Sequence, residues 1–237
     1  MNTTKIGVLV YEYQALDVVG PSDLLFNCNK WVIEYFSRHL PSPIDSHTIE
    51  KAPNFEVYHI SETMEPSTLM TSGLRIIPKV TLDDCRVIDC LLIGGPMPET
   101  FVMPSRYPDF IKRHVAAGEV VWTACTGAMA LAQTGVLDSR NATVNNIEYR
   151  WITKEYPKVT WTREKKWVVD GSIWTSRGAV AGMYMIAEWI RKTYGLDVLI
   201  AGCKGLDFEP RDIDGLHTVI PHRFDKNGKQ IATTAFD

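Results

Sequence analysis

Apolar residues along this chain gather into short runs, and between them lie longer stretches where they recur every three or four positions. Alternation of that kind predicts buried strands joined by amphipathic helices. The first run, over 5–10, reads as a strand. Gly20, Pro21, Ser22 and Asp23 then open a segment in which Leu24, Leu25, Cys28, Trp31, Val32 and Tyr35 return at helical spacing, with Pro21 suited to a first turn. Three prolines and mixed charges over 39–53 predict a surface loop, followed by a strand over 55–60 and a hairpin around Ser72 and Gly73 that ends at Pro78. A buried strand is expected over 89–93, broken by Gly94, Gly95 and Pro96. Helices are expected over 107–117, with Gly118 at the left-handed cap position, and over 126–134, stopped by Gly135; between them 120–124 reads as a strand. Beyond these come a helix over 151–156, a hairpin of 167–169 and 173–175 across Asp170 and Gly171, and an alanine- and methionine-rich helix over 179–193.

Strands that alternate with helices over the whole length predict an α/β fold, a single-domain open sandwich with a mostly parallel central sheet flanked by helices, because parallel strands need helical crossovers. With 237 residues, 45% hydrophobic and 22% charged, the chain is long enough for one large core and has an ordinary globular composition. A net charge of −3 with no sustained basic cluster argues against nucleic acid as a partner. The apolar run after the amino terminus ends at Glu12, too short for a secretory signal, and no stretch approaches the roughly 18 apolar residues of a membrane span, so a cytoplasmic protein with no membrane partner is expected. Five cysteines without a CxxC pair fit a reducing compartment.

The chemistry concentrates where the strand over 120–124 runs straight into the next helix with Cys125 on the corner. A strand-to-helix elbow of this kind exposes its side chain at the carboxyl edge of the sheet, where open α/β folds bind ligands. Partial positive charge at a helix start would favour the thiolate, making Cys125 a nucleophile, and Gly127 would let helix and strand approach closely. Most buried cysteines are simply small hydrophobes, and Cys28, Cys85, Cys90 and Cys203, which lack such a setting, are read that way.

The elbow from Ala124 to Ala128, followed by Leu131, Ala132, Gly135, Val136, Leu137 and Asp138, resembles the ThiJ/PfpI superfamily, which has the class I glutamine amidotransferase-like, flavodoxin-like fold. Further matches lie at Leu16, Asp17, Gly20 and Pro21, at 92–96, and at 181–183. The resemblance spans about 5–200 and leaves 205–237 as an unmatched extension of one 1–237 domain. It is nearest to the isocyanide hydratase branch. It implies Cys125 as nucleophile, Asp17 as the acidic partner beside the sulfur, backbone amides of Gly95 and Thr126 as anion-stabilising donors, a small-molecule substrate, no cofactor, and a homodimer. The plain reading of Asp17 is a helix cap ahead of Pro21.

Two departures shape the functional expectation. Relatives commonly carry a histidine shortly after the position of Thr143, where this chain has Asn145, so no histidine follows the elbow to complete a Cys–His pair and a protease-like mechanism loses its base. Arg177 adds a positive charge near the family's substrate pocket. Gly94, Asn145 and Arg177 are therefore the expected substrate-binding positions, with an ordinary surface ion pair as the competing reading of Arg177. His39, His47, His59, His114, His217 and His222 are expected in loop-like or solvent-like settings, and Pro221 spoils a metal pair of the last two, so no metal is expected. The leading expectation is a cofactor-independent, cysteine-dependent hydratase that converts an isocyanide to an N-formamide. A biosynthetic hydration, lyase or cyclisation enzyme, a glyoxalase-type enzyme and a redox-sensing or chaperone-like dimer are the alternatives. A ligand-sensing regulator is disfavoured by the short remainder after the matched segment.

Overall fold

A computed structural model describes residues 3–85, 87–220 and 225–229. Along the chain run β1 (Thr3–Leu9), α1 (Ala15–Asn27), α2 (Lys30–His39), α3 (Ser46–Lys51), β2 (Asn54–Ser61), β3 (Ser67–Thr68), β4 (Arg75–Ile76), β5 (Val80–Thr81) and β6 (Cys90–Ile93). They are followed by α4 (Tyr107–Ala116), β7 (Val120–Thr123), α5 (Gly127–Gln133), β8 (Asn141–Ala142), α6 (Tyr149–Glu155), β9 (Thr160–Trp161), β10 (Trp167–Asp170), β11 (Ile173–Ser176), α7 (Ala179–Tyr194) and α8 (Leu196–Lys204).

Seven strands form the central sheet in the order β10-β11-β7-β6-β1-β2-β5. Every neighbouring pair is parallel except β10 with β11, the hairpin that turns at Gly171. The sheet is therefore mostly parallel and flanked by helices, as the alternating pattern predicts. β6 is buried along its whole length, which is why it reads as an unbroken apolar run rather than an alternating one. The chain steps one way from β1 to β2 and the other way from β6 to β7, so right-handed crossovers place α1 and α4 on opposite faces. α7 and α8 join α1 in one layer. There Trp122 of β7 meets Trp189 of α7 edge to face, with ring centroids 4.8 Å apart.

Three local expectations are corrected. The first helix begins at Ala15, not at Gly20, and Pro21 lies buried inside it, where it withholds the amide that would bond the Asp17 carbonyl. The apolar series from Leu24 to Tyr35 is two helices, broken at Cys28 and Asn29; the Asn29 side chain bonds the Phe26 carbonyl and accepts from the Phe55 amide. The stretch over 39–53 is not all loop, because the Asp45 carboxylate accepts from the His47 and Thr48 amides and so caps α3. The tail also has a place. Ile213 accepts from the Lys166 amide, Ile220 is buried, and Phe208 stacks on Tyr184 of α7 at 5.8 Å.

Candidate active site

The turn from β7 to α5 is confined to Ala124, Cys125 and Thr126. Cys125 adopts φ 58°, a left-handed conformation that a residue with a Cβ enters at a cost of about 1 kcal/mol or more. The tightness has a visible cause. The Ala124 amide donates to the Ile93 carbonyl at 3.1 Å and the Gly127 amide returns to the Ala124 carbonyl at 2.8 Å, so the elbow is stitched to the end of β6. A Cβ on Gly127 would lie 2.3 Å from the Ile93 carbonyl oxygen, which only glycine avoids.

Asp17 reaches this elbow from the first turn of α1. It is fully buried, and it does not cap the helix. Its Oδ2 accepts from the Gly95 amide at 2.7 Å and its Oδ1 from Gln14 Nε2 at 3.4 Å. Burial raises its pKa from 3.8 to about 7, with the Gly95 hydrogen bond pulling the other way. Gly95 is the hinge of the arrangement: a Cβ there would sit 2.5 Å from Thr126 Oγ1, 2.7 Å from Thr126 N and 2.8 Å from Asp17 Oδ2. The Gly95 amide, expected to face a developing anion, is instead engaged by Asp17. Thr126 Oγ1 donates to the Pro96 carbonyl at 2.6 Å and closes the ring of contacts.

The expectation that the helix start holds Cys125 as a thiolate is also corrected. Burial, and next the charge of Asp17, push the thiol up to about 11, while Asn145 and the Thr126 amide and hydroxyl act against that rise. Protonation of Asp17 removes the repulsive contribution, so the two groups titrate against each other.

Asn145, expected as the residue in place of a histidine, lies at the sulfur. Its Nδ2 donates to Cys125 Sγ at 3.0 Å, and its Oδ1 accepts from the Ile147 amide at 2.8 Å, which fixes the orientation of the side chain. The sulfur therefore has a fixed amide donor, and among the described residues no imidazole bonds to it. Gly94, expected to touch substrate, is buried; its carbonyl accepts from the Tyr11 hydroxyl at 2.5 Å and Tyr13 packs over it. Arg177 donates from Nη1 to the Arg163 carbonyl at 2.8 Å, and among the described residues no hydrogen bond ties it to Cys125, Asp17 or Asn145. The structure thus unites Cys125, Asp17, Gly95, Thr126 and Asn145 and leaves Arg177 at the neighbouring β11 end. Sequence reading missed Gln14 and Tyr11; Gln14 lies one helical turn before Asp17, a spacing that would have suggested the contact.

Four histidines lie in regular elements, not in loops: His39 in α2, His47 in α3, His59 in β2 and His114 in α4. His114 is buried with Nε2 2.9 Å from the Val120 carbonyl oxygen. His222 falls outside the described residues, and among the described residues no cluster of three His, Cys, Asp or Glu could hold a metal.

The profile of the DJ-1/PfpI family matches residues 42–192, a stretch that includes both the elbow and Asn145. The chain belongs to that family. It is 26% identical over 197 residues to an isonitrile hydratase of Pseudomonas putida, covering 81% of this chain and 73% of that protein. It is also 24% identical over 131 residues to the HTH-type transcriptional regulator GbdR of Pseudomonas aeruginosa, covering 55% of this chain but only 35% of the regulator. Among solved structures, a ThiJ/PfpI family protein from Pseudomonas syringae superposes with a TM-score of 0.68 at 18% identity over 90% of this chain and 78% of that one. Drosophila melanogaster DJ-1beta gives 0.66 at 15%, over 86% and 98%. These structures share the fold. Enzymes and regulators both occur in the DJ-1/PfpI family, so membership alone leaves the activity open.

Proposed function

We propose that this protein is a cofactor-independent hydratase in which Cys125 and Asp17 convert a small isocyanide to the N-formamide. The observation that carries the reading is a buried carboxyl raised to about 7, electrostatically coupled to an elbow thiol that accepts from an amide donor and, among the described residues, from no histidine. The similarity to isonitrile hydratase supports it.

A thiol near 11 needs its proton removed as it attacks, and a carboxyl near 7 is divided between base and acid at neutral pH. Asp17 takes the Cys125 proton as sulfur bonds to the terminal isocyanide carbon and delivers a proton to that carbon. The product is an enzyme-bound thioformimidate. Water then adds to the same carbon and the nitrogen is protonated; the C–S bond breaks, sulfur regains a proton, and the formamide leaves. Asn145 Nδ2 stabilises negative charge on sulfur in both steps, a role that requires a donor and no titration.

The test is incubation with cyclohexyl isocyanide in ¹⁸O-water, read by mass spectrometry. The expected result is labelled N-cyclohexylformamide from the native protein and a loss of at least about a hundredfold in the rate with Cys125→Ala or Asp17→Asn. Turnover that survives Cys125→Ala but not Asp17→Asn would assign acid–base hydration without a covalent step. Absence of formamide refutes the reading.

A further inference from the structure

A cavity lies beside the elbow. A cleft of about 630 Å³ opens over the carboxyl ends of β1, β2 and β6, the sheet edge that also carries Cys125. It abuts the site through shared residues. Pro96 lines the cleft and accepts from Thr126 Oγ1, and Tyr11 lines it while bonding the Gly94 carbonyl and bearing on Asp17 electrostatically.

Its chemistry is one-sided. Among the described residues, Glu12 and Glu65 supply the only charged side chains in the lining, and none of those residues is a lysine, arginine or histidine. Both glutamates are exposed, and neither forms an ion pair among the described residues. The same lining carries Tyr11 and Phe101, whose ring centroids lie 5.1 Å apart, and the thioethers of Met70 and Met97. Carboxylates that share a cleft with aromatic rings and polarisable thioethers attract an organic cation and disfavour an anion.

We infer that this cleft binds an alkyl- or arylammonium group, and that the substrate of the adjoining site is a small molecule with an ammonium head and a reactive terminus held at Cys125. The identity of the reactive terminus rests on the hydratase reading; the cationic head rests on the cleft alone. The charge expected of a substrate from Arg177 is thereby reversed, since Arg177 belongs to the β11 end of the edge and is turned to the Arg163 carbonyl.

Two measurements test the inference separately from the hydratase reading. In the first, phenethylammonium and 3-phenylpropionate are titrated into protein with ¹³C-methyl methionine and the Met70 and Met97 signals are followed. The ammonium is expected to shift both signals and to bind at least about fivefold more tightly than the carboxylate, and E12Q/E65Q to bring the two affinities within about twofold, as loss of two partly exposed charge contacts and of their field implies. Equal affinities in the native protein, tighter binding of the carboxylate, or shifts absent from both methionines overturn it. In the second, kcat/KM is compared for ω-ammonium, neutral and ω-carboxylate alkyl isocyanides of one length. A preference in that order, flattened by E12Q/E65Q, supports the cationic head. Turnover of the neutral compound without that order refutes the cleft assignment and leaves the hydratase reading standing. Cation binding without turnover of any isocyanide does the reverse.

Discussion

Replacing Asp17 by asparagine should make this protein more stable in weakly alkaline solution while abolishing its activity. The folded-state pKa of about 7 lies above the ordinary 3.8 of an exposed aspartate, so between those values the folded chain holds a proton that the unfolded chain has released. Stability therefore falls as pH rises through that window and levels off above it. Roughly three pH units at about 1.4 kcal/mol each set the cost of the ionised carboxylate at about 4 kcal/mol above pH 7. D17N is isosteric, keeps an acceptor for the Gly95 amide, and carries no charge to desolvate. Urea unfolding of native protein and D17N at intervals from pH 4 to 9 should give a stability difference that favours the variant increasingly up to about pH 7.5 and is flat beyond. The same variant should lose the turnover that needs a titrating group. Parallel stability curves across the whole range would show that Asp17 ionises at its ordinary pKa in the fold, and the proton transfers assigned to it would have no basis.

The coupling between Asp17 and Cys125 gives a second test: D17N removes a charge that raises the thiol, so iodoacetamide labelling of Cys125 at pH 8.5, followed by peptide mass spectrometry, should be faster in D17N than in native protein, and an unchanged rate would refute the coupling. Half-exposed Cys85 should label before Cys125 in native protein at neutral pH, whereas Cys28 and Cys203 should not label until the chain unfolds. Asn145→Ala should raise the thiol pKa seen in thiolate absorbance near 240 nm and lower kcat about ten- to a hundredfold, with less than about 1 kcal/mol lost in unfolding, because the Ile147 amide it releases is exposed to water. Gly95→Ala should cost about 2–3 kcal/mol or more in urea unfolding, since the new methyl meets backbone as well as side-chain atoms; a fully stable variant would mean that the β6 loop can retreat from the elbow.

The sheet was legible because its central strands are buried on both faces and leave unbroken apolar runs, and the elbow was legible because a cysteine follows such a run directly and a glycine follows it two residues later. What escaped was set by tertiary contact. α8 is short and glycine-flanked, and its apolar side is filled by small residues: a Cβ on Gly202 would fall 2.2 Å from Cys28 Sγ, a fit that no local propensity announces. The start of α1 was misplaced because Pro21 is a strong local signal for a first turn, whereas burial and the Gly95 amide draw the chain into helix earlier. For the site, residue types and positions pointed to Cys125, Asp17 and Asn145, but the sign of the thiol shift depended on desolvation, which is a property of the assembled fold. The orientation of Arg177 likewise depends on the Arg163 carbonyl, which reaches it from an irregular segment between β9 and β10.

The sheet order β7-β6-β1 places the nucleophile and its acid on elements that leave strands two positions apart, roughly 10 Å across the sheet, with β6 between them. Cys125 and Asp17 are distant in sequence, and the loop that joins them in space, at Gly94 and Gly95, comes from the strand that must insert between. No fragment ending before β7 holds the pair, and no native contact between Asp17 and Gly95 can form until β1 has paired with β6 across the long connection from α1 to β5. Such non-local pairings are slow to close. During refolding, protection of the Cys125 thiol should therefore appear with the final cooperative phase and not with early helix formation, which makes its alkylation a kinetic reporter of sheet completion.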